Sequence, residues 1–363
     1  MNFKKTIVVS AINATDSGVL SIVQDALKHL SFYAKSNDIR IIALVHDKNR
    51  LNVDGVEYIE FPDSKKSWFL RIYYEYFHFR RLSAKLGADV WLSLHDMSPR
   101  VSAKKKFVYF HNPTPFFKPT LKDWWFGPRI ALFSVFYHWV YRINIHSNDG
   151  VIVQQEWFKD EVKRRFKFDK VVTAHPQVTV PGNVSPIELD QSKIHFFYPA
   201  FPRMFKNLEA IGEAVKSLSA DVANQIKVHF TLSGKENRYA RYLHQKYGDW
   251  PQFEFAGLLP REKVWSYYLA VDALLFPSRL ETWGLPLTEF STTQKPIFAA
   301  NLPYAHETLG GHHNAHFFNP EDSTQLARLM ENLVRSTLPT PATVPTIEPD
   351  FTSWEALFDH IFA

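Results

Sequence analysis

The sequence predicts an α/β chain built as two domains, each a parallel sheet with helices between successive strands. Three observations carry this reading. Short apolar runs of strand length recur along the 363 residues, and helical patterns fill the spaces between them. That alternation is the pattern that builds parallel sheets. The length exceeds what one core usually holds, and Val180 to Asp190, with two prolines, a glycine and few helix formers, separates the runs into two series as a linker.

In the first series the candidate strands are Thr6 to Ala11, Ile41 to Val45, Val90 to Leu94, Phe107 to Phe110, Gly150 to Val153 and Val171 to Thr173, after which the chain turns at His175-Pro176. A loop at Ile12 to Leu20 follows the first strand and leads into a helical pattern through Leu27 and Leu30. The second series runs through His195 to Pro199, Val228 to Gly234, Phe253 to Leu259, Val271 to Phe276 and a strand at Ile297. Ser336 to Asp350 is rich in proline and threonine, and Ser353 is a plausible N-cap for a final helix. The expected domains are residues 1–180 and 190–345, with a last helix at about 351–363.

The segment Phe276-Pro277-Ser278-Arg279-Leu280-Glu281-Thr282-Trp283-Gly284-Leu285-Pro286-Leu287-Thr288-Glu289-Phe290 carries the most chemistry. It reads as a strand end, a loop and a helix start, because Pro277 stops the apolar run and Pro286 suits a first helical turn. Free N–H groups near Gly284 and Leu285 would then face an anion, best matched by a phosphate or diphosphate. Glu281 precedes the turn and Glu289 is expected within the first helical turn. Two carboxylates beside a phosphate repel it unless they accept hydrogen bonds from hydroxyls, which points to a phosphorylated sugar, and so to a nucleotide-sugar. The competing reading is a pair of solvated glutamates beside an ordinary loop.

This segment resembles the Glu-x7-Glu signature of GT-B glycosyltransferases of family 4 (glycosyl transferases group 1), a retaining group that uses an activated sugar donor. The resemblance implies that Glu281 faces the donor sugar and Glu289 grips the nucleotide ribose. Where the usual pattern has Gly-Phe, this chain has Thr282-Trp283. The other parts stand in the order that the family has. Arg203 and Lys206 lie three apart in the turn after His195 to Pro199, and two such cations can share one diphosphate. The resemblance gives them that task, with Lys206-Asn207 matching the common ending and Arg203 closer to the lysine than is usual. Gly234 closes a strand where a second loop nears the donor. On the acceptor side the resemblance places Gly18, the survivor of a usual Gly-Gly, and His111, at the end of Phe107-Val108-Tyr109-Phe110 and facing the reaction centre. A strand's carboxyl edge is where open α/β sheets put ligand groups. His95-Asp96, after a similar strand, is a further candidate for the acceptor side.

The implied fold is GT-B, two Rossmann-like domains facing across a cleft, with the terminal helix crossing back to the first. The implied reaction is retaining glycosyl transfer from a nucleotide-diphosphate sugar, as co-substrate, to a saccharide or lipid-linked saccharide acceptor. No cofactor and no metal are expected. Arg203, Lys206 and the amides near Gly284 would stabilise the leaving diphosphate, where negative charge develops, and Glu281 would orient the sugar. No Asp-x-Asp motif stands in a suitable strand-to-loop position. A nucleotide-sugar epimerase of the same fold and a non-catalytic sugar-nucleotide-binding protein are the alternatives, and the chain is short for a phosphorylase.

Composition bounds the setting. Apolar residues make up 45% and charged residues 22%, normal for a folded chain. There is no cysteine, which removes disulfides and thiol chemistry. Met1-Asn2-Phe3-Lys4-Lys5 leads into a short strand-like run, so no secretory signal is expected and the protein is expected in the cytoplasm. Trp124 to Ile145 is the most membrane-like stretch, but Pro128, Arg129, His138 and Arg142 interrupt it. It reads as a helix packed in the first domain. The alternative is that it rests on the cytoplasmic face of a membrane together with Lys104-Lys105-Lys106 and the basic, aromatic stretch from Phe69 to Lys85. The formal charge of +5 also raises nucleic acid as a partner, which the lack of any recognition motif or stacking platform argues against. The family setting implied is bacterial surface polysaccharide synthesis, such as O-antigen, lipopolysaccharide or capsule.

Overall fold

The computed structural model describes residues 4–14, 17–177, 180–341 and 343–363. Thr15 and Asp16 of the first loop, and the opening Met1 to Phe3, lie outside the described residues. The chain divides into two compact units, one of residues 1–116, 136–177 and 348–363, the other of residues 117–135 and 178–347.

The first unit begins with β1 (Lys5–Ala11), α1 (Ser17–Asn37), β2 (Ile39–Val45), β3 (Val56–Glu60), α2 (Trp68–Tyr73), a π-helical turn (Tyr74–His78) and α3 (Phe79–Leu86). Strands β4 (Val90–Ser93) and β5 (Lys105–Tyr109) follow. After α4 (Leu121–Phe126) and α5 (Pro128–Arg142) come β6 (Gly150–Val153), α6 (Glu156–Phe166) and β7 (Val171–Thr173). These seven strands form one parallel sheet in the order β3-β2-β1-β4-β5-β6-β7. Because β1 is central, with a helical layer packed over it, Ile7, Val8 and Val9 are all buried, as an apolar run in a covered parallel sheet must be.

The second unit holds β8 (Ile194–Tyr198), α7 (Leu208–Lys216), α8 (Ala220–Ala223), β9 (Ile226–Phe230), α9 (Arg238–Tyr247), β10 (Phe253–Phe255) and α10 (Arg261–Ala270). It continues with β11 (Ala273–Phe276), α11 (Leu285–Ser291), β12 (Ile297–Ala300), α12 (Pro303–Thr308), β13 (Ala315–Phe318) and α13 (Ser323–Val334). Its six strands are also parallel, in the order β10-β9-β8-β11-β12-β13. The fold is therefore two Rossmann-like, parallel-sheet units, as expected.

The last helix, α14 (Trp354–Phe362), belongs to the first unit, which bears out the expected return of the chain. Ser353 caps it by accepting a hydrogen bond from the Ala356 N–H at 3.2 Å. Leu357, Phe358 and Ile361 are fully buried with α1 residues such as Leu27 and Leu30, each side chain contributing about 2 kcal/mol of burial. Polar contacts set its register: Trp354 Nε1 donates to Asp25 at 2.7 Å and the Tyr33 hydroxyl to Asp359 at 2.7 Å.

Three features differ from the sequence expectation. Strands β3 and β13 went unrecognised, and both are sheet edges. Residues 117–135, which the division at residue 180 puts with the first domain, pack with the second unit. There α4 starts on a Thr120–Asp123 capping box, Phe126 packs on Tyr242 at 4.8 Å between ring centres, and the Arg238 guanidinium lies 4.2 Å over Trp125. Only the later part of α5 goes with the first unit, so Trp124 to Ile145 is not one helix packed in the first domain. Among the described residues, no helix is long and apolar enough to cross a membrane.

Candidate functional site

In the second sheet the chain starts at β8, adds β9 and β10 on one side, then returns to add β11, β12 and β13 on the other. The winding therefore reverses between β8 and β11, and open α/β sheets take ligands at the carboxyl ends of such a pair. The loops leaving these two strands carry Arg203 and Lys206 on one side and Glu281 to Leu285 on the other.

The structure brings these loops together. Lys206 Nζ lies 2.5 Å from Glu281 Oε1, with the two side chains 19% and 13% exposed. Residues 75 apart in sequence thus form an ion pair at the switch point. Lys206 ends a 3-10 turn (Met204–Lys206), and Asn207 follows in a left-handed conformation, φ 56°. The Asn207 side chain donates to the carbonyls of Pro277 at 3.2 Å and Pro320 at 2.8 Å, tying its turn to the loop after β11. Two buried tyrosines brace the same contact, Tyr198 donating to the Lys206 carbonyl at 2.8 Å and Tyr304 to the Ser278 carbonyl at 2.7 Å.

Arg279 was not singled out from the sequence. Its N–H donates to the Phe205 carbonyl at 2.7 Å and its Nη2 to the Met204 carbonyl at 3.1 Å, so it fastens one loop directly to the other. An open cavity lined by Arg279, Asn301, Asn319 and Glu321 lies one to two strands along, at the ends of β12 and β13. Only its place immediately before Leu280-Glu281 could have drawn attention to Arg279.

Arg203 stands exposed at the start of its turn, its guanidinium 5.8 and 6.0 Å from the ring centres of Phe201 and Phe205. It is not part of the Lys206–Glu281 contact. Gly284 precedes α11 at φ 86°, the left-handed region that favours glycine. Leu285 opens the helix, so Glu289 is its fifth residue and stands beyond the first turn, not within it. Counted from Leu285, the first turn of about 3.6 residues closes at Thr288. Glu289 is largely buried, bonded to Arg261 Nη2 at 2.9 Å and accepting from the Tyr268 hydroxyl at 3.1 Å. Burial raises its carboxyl above the usual range, against the opposing pull of Arg261.

Trp283, in the position where the sequence departs from the family pattern, is buried and donates from Nε1 to the Thr288 hydroxyl at 2.7 Å. It pins the loop to α11, while Thr282 beside it is only half-buried. Gly234, after β9, has φ 86°, and a Cβ there would lie 2.7 Å from the His244 Cβ, so glycine is required. Its N–H is taken by the Glu236 carboxylate at 3.0 Å, and so is that of Ser233 at 2.7 Å.

In the first unit the winding reverses between β1 and β4. Gly18 is the second residue of α1, inside the helix and not in the loop where the sequence put it, because the helix already begins at Ser17. His95 follows β4 but is only 1% exposed, so it is an interior group and not a surface one. Its Nε2 lies 2.9 Å from the Ser10 hydroxyl and 3.2 Å from the Glu75 carboxylate, and Arg71 donates to its carbonyl at 3.1 Å. Burial pushes the Glu75 carboxyl up to about 8 and the His95 imidazole down to about 3, so both are held neutral. Nothing in the sequence marked Glu75, which the π-helical turn carries inward.

His111 follows β5, stacked on Tyr109 with ring centres 4.4 Å apart. Neither of its ring nitrogens makes a well-formed hydrogen bond. Burial pushes it down to about 4, against the opposing effect of Asp96. Asp96 holds this strand end in place, accepting from the His111 N–H at 2.6 Å, the Asn112 N–H at 3.0 Å and the Tyr141 hydroxyl at 2.9 Å. Asp96 thus supports His111 through the backbone, a role the sequence did not suggest.

Residues 185–342 match the family model described as Glycosyl transferases group 1. No curated protein matches the chain by sequence. Among solved structures, a sucrose-phosphate synthase from Thermosynechococcus elongatus is similar over 92% of this chain and 90% of its own, at 14% identity and a TM-score of 0.65. WaaG, described as a glycosyltransferase involved in lipopolysaccharide biosynthesis, is similar over 92% of each chain, at 13% identity and 0.65. HepE of Anabaena, solved in complex with UDP and glucose, is similar over 92% of this chain and 90% of its own, at 13% and 0.60. At such identities the structures establish the GT-B fold, and the family match covers the whole second sheet. Residues 185–342 carry a glycosyl transferases group 1 domain, and the chain is a transferase enzyme of glycosyltransferase type.

Proposed function

We propose that this enzyme is a retaining, metal-independent glycosyltransferase of family 4, moving a hexosyl group from a nucleotide-diphosphate sugar to a saccharide or glycolipid acceptor. The observation that carries the proposal is the Lys206–Glu281 ion pair at the β8/β11 switch point, inside the matched domain. A cation and a carboxylate side by side suit the two ends of a sugar diphosphate. Lys206 takes the diphosphate, with Arg203 as a second cation, and Glu281 takes the sugar.

The ion pair must open for this to happen. A diphosphate draws Lys206 away from Glu281, which frees the carboxylate to accept hydrogen bonds from sugar hydroxyls and to face the positive charge that grows at the anomeric carbon. As the glycosidic bond to the diphosphate breaks, charge builds on the leaving oxygens, and Lys206, Arg203 and the amides at Gly284 and Leu285 oppose it. The positive charge of these groups is what a metal ion would otherwise supply. The departing diphosphate takes the acceptor's proton, and attack comes from the face it leaves, which retains configuration. Glu289, oriented by Arg261 and Tyr268, holds the ribose, and Trp283 with Thr282 shapes the sugar pocket between them. In the first unit, His111 is assigned to sugar or acceptor hydroxyls.

The acceptor reading is a lipid-linked or surface saccharide, in O-antigen, lipopolysaccharide or capsule synthesis on the cytoplasmic side of a membrane. It is supported by the similarity to WaaG and by the basic, aromatic character of the first unit. A thermal-shift panel of UDP, GDP, dTDP and their sugar conjugates, run beside Lys206→Ala and Glu289→Ala, tests the proposal. One nucleotide should raise the melting temperature of the native protein and of neither variant. No shift with any nucleotide, in folded protein, would overturn it.

A further inference from the structure

A soluble helix normally turns its apolar face inward and its polar face out. Helix α5 does not. Ala131, Ser134, Tyr137 and Tyr141 form its buried side, yet the opposite side carries Phe136 at 57% and Trp139 at 55% exposure. The stretch from α2 through the π-helical turn repeats the pattern, with Arg71 and Glu75 inward while Phe69 is 85%, Tyr73 50% and Phe77 63% exposed. The two elements are neighbours within the first unit, since the rings of Trp68 and Tyr137 meet at 6.1 Å. Exposed apolar patches of this extent mark interaction sites.

The charge around them selects the partner. Residues 63–88 hold six lysines and arginines against two carboxyls, Glu75, which is fully buried and held neutral, and Asp63, which pairs with Lys66 at 2.6 Å. Residues 136–148, the part of this stretch that belongs to the first unit, hold Arg142 and no carboxyl. Lys65, Arg80, Arg81 and Arg142, all of the first unit, are exposed. A second copy of this chain would bring the same cations against themselves. An acidic surface with an apolar layer beneath it would match both features.

We propose that this face of the first unit, built from α2, the π-helical turn and the later part of α5, docks on an anionic lipid bilayer. The exposed rings of Phe69, Phe77, Phe136 and Trp139 enter the headgroup boundary, and the flanking arginines and lysines pair with lipid phosphates. Tryptophan and tyrosine suit that depth because one end of the ring system is apolar and the other polar. The surface goes beyond the transfer reaction proposed above, since it involves none of the donor-site residues and would stand without that reaction.

The test is sedimentation of the full chain with vesicles of phosphatidylcholine alone and of phosphatidylcholine with phosphatidylglycerol. The native protein should pellet with the anionic vesicles only, and added salt should release it in part. The pair Phe69→Glu and Trp139→Glu should weaken binding by roughly tenfold or more, and Arg80→Gln with Arg81→Gln should weaken it further at low salt. The melting temperature of each variant, held near the native value, separates lost docking from lost folding. Native protein that stays in the supernatant with anionic vesicles, or a Phe69→Glu, Trp139→Glu variant that pellets as well as the native chain, would overturn the proposal. So would a concentration-dependent dimer that those substitutions abolish, which would assign the face to self-association. The nucleotide panel reads the donor site separately, so either reading can fail without the other.

Discussion

Under the proposed donor-site role, Lys206 is held in a contact with Glu281 that a diphosphate would have to break. At 2.5 Å and an effective dielectric constant of about 20, the gross attraction of Lys206 and Glu281 is roughly 7 kcal/mol. Most of this is cancelled by taking both groups out of water, and their partial exposure leaves a net worth of about 1 to 2 kcal/mol. A lysine-to-phosphate hydrogen bond contributes about 1.5 to 3 kcal/mol. The native protein therefore gains only the difference when a diphosphate arrives. Two substitutions should act in opposite directions. Lys206→Met loses that difference of about 0.5 to 1 kcal/mol and leaves Glu281 unpaired beside the ligand, a repulsion of about 1 kcal/mol, so a nucleoside diphosphate should bind about 10- to 30-fold more weakly. Glu281→Gln releases the lysine from its partner, so the same nucleoside diphosphate should bind about 5- to 30-fold more tightly, while sugar transfer falls steeply. Isothermal titration with the nucleoside diphosphate, carrying no sugar, measures both. Equal weakening by the two substitutions would refute the idea that Glu281 competes with the ligand for Lys206.

Three further outcomes follow from the geometry. The first unit should be most stable near pH 6.5. As pH falls from there toward 4, the unfolded chain gains protons on His95 and His111 that the folded chain, with pKa values of about 3 and 4, does not take up. As pH rises from about 6.5 to 8, the folded chain alone keeps the Glu75 proton, with its pKa of about 8, so stability falls on that side too. Melting temperature against pH should show the maximum, and Glu75→Gln should flatten the alkaline side. Gly234→Ala should lower stability by roughly 2 kcal/mol in urea unfolding, because the new Cβ sits at φ 86° and 2.7 Å from His244. Arg261→Ala should weaken nucleotide binding about tenfold by releasing Glu289, read by the same titration, with Arg261→Lys intermediate; unchanged binding would remove Glu289 from the nucleotide site.

Much of this site was legible because its chemistry is local. A strand end, Pro277, the turn at Gly284 and Pro286 fix the path of one loop, and Lys206 sits at the matching place after β8, so order along the chain gave their meeting at the switch point. What escaped was what depends on long-range packing. Strand β3 carries two glutamates in five residues and is only half-covered at a sheet edge, and β13 has His316 within its four residues, so neither has the apolar signal of a buried strand. The capping box at Thr120 is a local signal, but nothing local says that α4 packs on Tyr239 and Tyr242 of the second unit. His95 and His111 looked alike as histidines at strand ends. Burial separates them: Ser10 and Glu75, far apart in sequence, enclose His95, while His111 keeps ring nitrogens without well-formed partners. Arg279 and Tyr304 bind carbonyls, and a carbonyl partner has no residue identity to recognise.

The most direct test of the central claim is a crystal structure with the nucleoside diphosphate that gives the largest thermal shift. The account predicts the diphosphate at the carboxyl ends of β8 and β11, within hydrogen-bond distance of Lys206 Nζ, with Glu281 released from the lysine. A nucleotide bound elsewhere, such as the cavity at Asn301 and Asn319, with the Lys206–Glu281 pair still closed, would contradict it.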